Sequence, residues 1–291
     1  MRILILGASG YLGSRLFMIL QKYGNVFGTF NSNGFVSQNM AYWDGDSKLL
    51  LHIFTELKPE LVINCSGFAE VDQSERNPEK AFYLNAIVPH YISTMCQELN
   101  IKYVHISTDH YIGGKTLFLS EEMFVTCPNV YSASKLLGEN YILASNSNSI
   151  VVRANFFHFT KNSSDKFLDR CLNLPNNGTE IHGFQDIFYT PISTIYLSSA
   201  ILTLINQDFE GLIHIASSER ISKYIFLKEI FRHMHKNQAI IHPRNWNDGQ
   251  LKATRPENMA LSNKLFRSLV NESIPTINEM IKTELEFAEI I

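Results

Sequence analysis

The sequence lacks the features that mark secreted and membrane-spanning proteins. Its four cysteines are widely separated and include no C-x-x-C pair, which predicts reduced thiols rather than a disulfide framework. The longest late apolar segment, Ile195 to Ile205, has about half the length of a membrane-spanning helix, so we expect a buried helix there. No signal-peptide pattern precedes the first glycines. We therefore expect a cytoplasmic protein that does not contact a membrane.

Basic clusters and metal-ligand patterns are also missing. The formal net charge is -3, and no run of Lys or Arg resembles a footprint for a phosphate backbone. The ten histidines lack ligand spacing, since His233 and His235 would point to different faces of a helix. The sequence therefore predicts neither a nucleic-acid partner nor a bound metal.

What is present is an alternation of short β-rich runs with helical patterns. The runs RILILG, NVFGTF, LVINCSG, YVHISTD and SIVVRA are separated by helical patterns, which predicts an α/β fold with a doubly wound, parallel Rossmann sheet. We place a dinucleotide-binding Rossmann domain at residues 1–155. Residues 156–291 are interpreted as a smaller, mainly substrate-binding lobe, with some segments, about 184–216, returning to the Rossmann domain.

Three glycines follow the first predicted strand and open the first helix, in the string GASGYLG. Glycines here allow a tight turn and a close approach of the backbone to a pyrophosphate, while the helix N-terminus supplies free N–H donors. The strand before and the helix after make the pattern more specific than the string alone. The cofactor contacts predicted in this loop are Gly7, Gly10, Tyr11, Leu12 and Gly13.

Asp and Glu are absent from residues 1–43, so no carboxylate follows the second predicted strand to bind the 2′-hydroxyl of NAD. The strand ends in polar residues that begin at Asn31, where an anionic 2′-phosphate would meet no repulsion. We predict that Arg15 reaches this phosphate from the first helix. NADP(H) is therefore favoured as cofactor, with NAD(H) as the alternative.

Tyr131 and Lys135 form a Y-x-x-x-K pair, and this spacing places both side chains on one face of a predicted helix. A neighbouring ammonium stabilises a phenolate, so we expect Lys135 to lower the pKa of Tyr131. Tyr224 and Lys228 repeat the spacing, but they lie among apolar residues of the second lobe. The first pair follows a Ser-Thr-Asp triplet in the dinucleotide-binding half, and this position favours it.

Several segments resemble the extended branch of the short-chain dehydrogenase/reductases and, within it, the dTDP-4-dehydrorhamnose reductase family. The glycine spacing, NCSGFAEVDQSERNPEKAFYLNA, STDHYIGG, YSASKLLGE and ATRPENMAL are similar to motifs of that family and together span nearly the whole chain. The resemblance implies an NAD(P)-dependent oxidoreductase of carbohydrate biosynthesis. Its implied reaction is the reduction of a nucleotide-linked 4-ketosugar.

The resemblance also implies roles for single residues. Thr108 would orient the substrate carbonyl, Tyr131 would act as general acid, and Lys135 would also hold the nicotinamide ribose. The other implied contacts are Asp44 at the adenine, Cys65, Ser66 and Gly67 along the cofactor, and Asp109, Phe156 and Arg255 at the substrate.

This sequence departs from the family pattern around the substrate. Phe156 replaces the family's Trp, and His110-Tyr111-Ile112 replaces its Y-V-F. A sugar 4,6-dehydratase would carry Glu at the position of His110, which argues against that activity. An epimerase uses the same triad, and the regulatory subunit of methionine adenosyltransferase keeps this fold and binds NADP. Both alternatives stay open, as do the nucleotide, the sugar and the oligomeric state, with a homodimer as one candidate.

Overall fold

The computed structural model describes residues 1–31, 37–160, 168, 180–235, 240–248, 252–270 and 273–289. The polar residues that follow Asn31 lie outside this set, and the cofactor preference rests partly on them.

A seven-stranded parallel sheet forms the centre of the fold, in the order β11-β6-β5-β4-β1-β2-β3. Its strands are β1 (Arg2–Leu6), β2 (Asn25–Phe30), β3 (Met40–Tyr42), β4 (Leu61–Asn64), β5 (Lys102–Ile106), β6 (Ser149–Arg153) and β11 (Gly211–His214). In the register, Ile5 lies between Gly28 and Ile63. β4 and β6 are buried along their whole length, as expected for strands covered on both faces. The predicted doubly wound Rossmann fold is confirmed.

Within the described residues, three two-stranded sheets accompany the main sheet. They pair β7 (Phe156–Phe157) with β10 (Ile192–Ser193), β9 (Phe188–Tyr189) with β12 (Ile221–Ser222), and β8 (Glu180–Phe184) with β13 (Ile240–Arg244). A single apolar cluster contains side chains of β1 and of later elements, among them Ile5, Phe226 and Met280. The later part of the chain is therefore packed onto the same core as the first strands.

Helices pack around the sheet. They are α1 (Tyr11–Leu20), α2 (Ser47–Leu57), α3 (Val71–Arg76), α4 (Pro78–Phe82), α5 (Val88–Glu98), α6 (Val130–Ser145), α7 (Thr194–Asn206), α8 (Lys223–His233), α9 (Lys264–Leu269) and α10 (Ile277–Phe287). No helix in the described ranges is long and apolar enough to cross a membrane.

A π-helical turn at Tyr83–Ile87 connects α4 and α5. Within this turn, the Asn85 side chain exchanges hydrogen bonds with both backbone groups of Phe68 and donates to Ser134 of α6. A Cβ at Gly138 of α6 would lie 2.2 Å from the Asn85 carbonyl oxygen. The glycine therefore lets α6 approach the turn closely, which fixes the position of the helix that carries Tyr131 and Lys135.

Asn129 determines where α6 begins. Its side-chain oxygen accepts from the backbone N–H of Ser132 at 2.8 Å, and the Ser132 hydroxyl completes a capping box. The Asn129 amide also donates to the carbonyl of Thr254 at 2.8 Å. One side chain thus caps the helix and attaches the segment that contains Arg255 to its N-terminus.

Candidate active site

A groove of about 530 Å³ opens at the carboxyl ends of β1, β2 and β4. In the order of the sheet, β1 and β4 are where the chain turns from one half to the other, and open α/β sheets bind ligands at this switch point. Seven of the predicted cofactor residues line the groove: Gly7, Gly10, Asn31, Asp44, Cys65, Ser66 and Gly67. Thr29, Phe30, Trp43, Lys80 and Tyr83 also line it, and sequence analysis missed them.

The glycine loop packs so closely against its neighbours that only glycine fits at two of its positions. Gly7 has φ +77°, and a Cβ there would lie 2.9 Å from the backbone nitrogen of Ser66. A Cβ at Gly13 would lie 2.2 Å from the Gly7 carbonyl oxygen. Thr29 of β2 accepts from the Gly7 N–H at 3.0 Å, and Gly10 caps α1 without a side-chain hydrogen bond. The backbone of the loop and the first N–H groups of α1 are therefore exposed to the groove.

Asn64 orients the groove wall at the end of β4. Its side-chain oxygen accepts from both the N–H and the hydroxyl of Ser66, at 2.9 and 2.6 Å. Cys65, beside it, is a poor nucleophile, because burial raises the pKa of its thiol to about 12. The wall is thus shaped for contact with a ligand and carries no reactive thiolate.

Three predicted cofactor residues of the first helix do not line the groove. Leu12 and Gly13 are buried under the loop. The Tyr11 ring stacks on His158, with centroids 3.8 Å apart, and its hydroxyl donates to the His158 carbonyl at 2.7 Å. In this structure they support the loop, and any cofactor contact from them would come from the backbone of α1.

Arg15 does not occupy the predicted position at the 2′-phosphate, and that prediction is corrected here. Its guanidinium is buried, donates to the carbonyl of Phe159 at 2.6 Å and lies 3.5 Å from the Glu284 carboxylate of α10. It also lies 4.5 Å from the centroid of the Phe287 ring. A buried carboxylate such as Glu284 has no water to stabilise its charge and depends on a cationic partner, whereas a solvated phosphate is stabilised by water. Arg15 therefore links α1 to the last helix.

Thr108 and Tyr131 meet as predicted. The Thr108 side chain lies close enough to Tyr131 to lower the pKa of the phenol, so the loop after β5 lies beside the first turn of α6. Burial raises the pKa of Tyr131 to about 12, and the charge of Asp109 adds to the effect. The phenol is therefore protonated at neutral pH and able to donate.

Lys135 lies one turn further along α6 and is buried. Its ammonium donates to the carbonyl of Ile106 at 2.8 Å and lies 3.1 Å from Nε2 of His105. Burial lowers the pKa of Lys135 to about 8 and keeps that of His105 well below its usual range, so His105 is neutral and accepts. The expected lowering of the Tyr131 pKa by Lys135 is wrong for this structure, because burial dominates and the ammonium is directed to β5.

A buried network below these residues fixes α6 against the sheet. Arg153 of β6 makes a bidentate ion pair with Glu139 of α6, with nitrogen–oxygen distances of 2.6 to 3.0 Å. The hydroxyls of Ser107 and Tyr111 donate to the same carboxylate. The pair thereby ties together β6, the catalytic helix and the loop that presents Thr108.

The predicted substrate residues lie around the same end of the sheet. Asp109 is buried next to Thr108, and its Oδ2 accepts from Asn155 at 2.7 Å. Burial raises the pKa of Asp109 to about 7. Arg255 lies 3.4 Å from the Asp72 carboxylate of α3, and the Phe156 ring centroid lies 6.4 Å from that of Tyr11. Phe156 is thus beside the glycine loop, and Arg255 is held at the edge of the site.

The fold and the site together define a Rossmann-type protein with the residue triad of the short-chain dehydrogenase/reductases. The chain belongs to the RmlD substrate binding domain family, whose model matches residues 1–289. The predicted family is therefore confirmed.

Similar proteins include the spore coat polysaccharide biosynthesis protein SpsK of Bacillus subtilis strain 168, which is 27% identical over 90% of this chain and 89% of that protein. A dTDP-4-dehydrorhamnose reductase of Clostridium acetobutylicum has a TM-score of 0.83 and 26% identity over 99% of this chain and 100% of its own. The dTDP-4-dehydrorhamnose reductase of Bacillus anthracis, solved in complex with NADP, has a TM-score of 0.82 and 22% identity over 98% and 99%. The predicted enzyme class agrees with these findings.

Proposed function

We propose that this protein reduces the ketone of a nucleotide-linked 4-ketosugar with NADPH, in the manner of a dTDP-4-dehydrorhamnose reductase. The observation that carries the proposal is that Thr108 and a protonated Tyr131 lie close together beyond the carboxyl end of β5, the strand next to β4, with Lys135 on the same helix as Tyr131. Consumption of NADPH on addition of dTDP-4-dehydrorhamnose tests it.

The groove fits a dinucleotide. Four glycines, at positions 7, 10, 45 and 67, leave backbone rather than side chains along its wall. The uncapped N-terminus of α1 offers N–H donors and a positive dipole to a pyrophosphate. Phe30, Trp43 and Asp44 would surround the adenine. The nicotinamide, when bound, supplies the hydride for the ketone carbon.

The residues of the triad divide the remaining work. Thr108 and Tyr131 lie close together, so both hydroxyls can be directed at one carbonyl oxygen. Tyr131 keeps its proton at neutral pH and transfers it once negative charge develops on that oxygen. Lys135, held by Ile106 and His105, would supply a positive charge and an N–H donor to the nicotinamide ribose. The high pKa of Tyr131 suits reduction, since the reaction needs an acid and not a phenolate.

We expect NADPH to bind more tightly than NADH. Asn31 and Phe30 line the groove where a ribose-binding carboxylate would stand in an NAD-specific protein, and Lys80 adds a positive charge to the lining. Titration of each nucleotide, followed by fluorescence or calorimetry, measures the preference. Equal or tighter binding of NADH would contradict it.

Arg15→Met should leave that preference unchanged and lower stability instead. Without the guanidinium, Glu284 is a buried carboxylate with no cationic partner in contact, which costs about 3–5 kcal/mol. Thermal unfolding and the two nucleotide titrations check the two halves of the prediction. Lys22→Met, an exposed change just beyond the end of α1, is the matched control. A selective loss of NADPH affinity would show instead that Arg15 contacts the 2′-phosphate.

The pH dependence of reduction should follow Lys135. Its folded-state pKa is lowered to about 8, so the ammonium is present below pH 8 and is lost as the pH rises through that value. We expect kcat/KM, which reports the free enzyme, to fall above about pH 8. Tyr131, with a pKa of about 12, does not contribute to this limb. Lys135→Arg should remove the limb at some cost in rate, whereas a flat profile to pH 10 in the unaltered protein would contradict the assignment.

A further inference from the structure

Lys223, the first residue of α8, carries a positive charge into the site and was not singled out by the sequence. Asp109, His110 and Arg255 lie within electrostatic range of its ammonium. The ammonium lies 5.9 Å from the centroid of the Tyr189 ring. Within the described part of the chain, it has no hydrogen-bond partner and no carboxylate at ion-pair distance. Burial lowers its pKa, so the position disfavours the charge unless a ligand contacts it.

The fold sets this position with ordinary helix-start chemistry. Ser222 caps α8 by accepting from the N–H of Ile225, and the Lys223 N–H donates to the carbonyl of Ile187 at 3.0 Å. The strand that ends in Ser222 pairs with Phe188 and Tyr189. The backbone of Lys223 is therefore fixed, and its side chain extends from a rigid element rather than from a loop.

Its neighbours do not neutralise the ammonium. His110 is uncharged, because burial and the two nearby cations lower its pKa to about 3. Its Nδ1 is buried and has no partner among the described residues, and its ring contacts Tyr131 edge-on, with centroids 5.5 Å apart. Asp109 follows Thr108 directly in the chain, and its Oδ2 accepts from Asn155. Lys223 is thus a cation without an ion-pair partner among the described residues, within electrostatic range of the Asp109 carboxyl group.

We propose that Lys223 and Asp109 bind hydroxyl groups of the substrate's sugar ring, with Lys223 as donor and Asp109 as acceptor. The inference rests on the proposed function and deepens it. A sugar hydroxyl both accepts and donates, so it satisfies the ammonium and the carboxylate together. A phosphate would satisfy the ammonium but be repelled by Asp109, which favours the sugar over the diphosphate as the group bound here. Arg255, which pairs with Asp72 at the edge of the site, would then bind the diphosphate.

Binding of dTDP-glucose and of dTDP, measured by calorimetry, isolates the contribution of the sugar. The unaltered protein should bind dTDP-glucose more tightly than dTDP. In Lys223→Met this advantage should fall about tenfold, the effect of one lost hydrogen bond to a charged group, while the affinity for dTDP stays the same. Lys228→Met, on the exposed side of the same helix and near the Tyr224 ring, is the matched control and should bind both as before. Lys223→Arg, which keeps the charge, should retain part of the advantage.

Three results would overturn the inference. One is an equal loss of affinity for dTDP and dTDP-glucose in Lys223→Met, which would make Lys223 a phosphate contact. The second is unchanged binding of both, and the third is a native protein that gains nothing from the sugar. A sugar-dependent affinity that needs Lys223, in a protein that reduces no ketosugar, would keep the inference and remove the proposed activity. If the protein reduces the ketosugar and Lys223→Met leaves sugar recognition unchanged, the proposed activity stands and the inference about Lys223 is wrong.

Discussion

Tyr131→Phe is expected to lower the turnover of ketosugar reduction by ~10²–10⁴-fold, the range for a lost general acid. The change deletes one hydroxyl and keeps the ring, so α6 and its capping box at Asn129 should stay in place. The phenol is protonated at neutral pH and lies close to Thr108, so it can donate to a carbonyl oxygen that Thr108 orients. Steady-state kinetics give the turnover, and nucleotide titration should show nearly unchanged NADPH affinity.

Tyr224→Phe is the control for that experiment. It removes the hydroxyl of the other Y-x-x-x-K tyrosine, whose ring lies 5.6 Å from the Lys228 ammonium and whose backbone packs against Gly183. Its turnover should match that of the unaltered protein. Near-normal reduction by Tyr131→Phe would leave the site without its proton donor, and the catalytic interpretation would be wrong.

Arg153→Met should lower the free energy of unfolding by about 3–5 kcal/mol. The substitution leaves Glu139, which is 1% exposed, as a buried carboxylate without its bidentate partner. The hydroxyls of Ser107 and Tyr111 still donate to it, but they carry no charge. Because the network holds the start of the Thr108 loop, activity should fall as well. Denaturant unfolding gives the change in stability.

An exposed pair and a double variant complete that test. Arg232→Met breaks an ion pair with Glu229 in which the Arg232 side chain is 58% exposed, and it should cost less than about 1 kcal/mol. Arg153→Met combined with Glu139→Leu removes both buried charges, so it should cost less than the sum of the single changes. Equal effects for the buried and exposed arginines would show that the buried pair does not hold α6.

Patterns local in sequence predicted much of this fold. The alternation of β-rich runs with helices gave the Rossmann sheet, because strands buried on both faces read as continuous apolar runs such as Ile3 to Leu6. The glycine string predicted the position of the groove, because the turn between β1 and α1 leaves no room for a side chain at Gly7 or Gly13. The spacing of Tyr131 and Lys135 likewise depends only on helix geometry.

Contacts between distant segments could not be predicted in the same way. Arg15 pairs with Glu284, which lies 269 positions further along the chain, and no local sequence pattern around Arg15 predicts that partner. The pKa of Tyr131 is set by burial under the completed fold rather than by Lys135 alone. In the sequence, Lys223 is an ordinary first-turn residue, and only the packing of α8 brings it within electrostatic range of Asp109. Each outcome depends on tertiary packing and on its local dielectric environment.

The most direct test mixes the purified protein with NADPH and dTDP-4-dehydrorhamnose and follows both NADPH absorbance and the sugar product. We predict stoichiometric oxidation of NADPH and reduction of the ketone to an alcohol, with both lost in Tyr131→Phe. Tight NADPH binding without oxidation, under conditions in which nucleotide sugars also bind, would contradict the account. That result would favour a cofactor-binding regulatory subunit, and isomerisation of the sugar without net NADPH consumption would favour an epimerase.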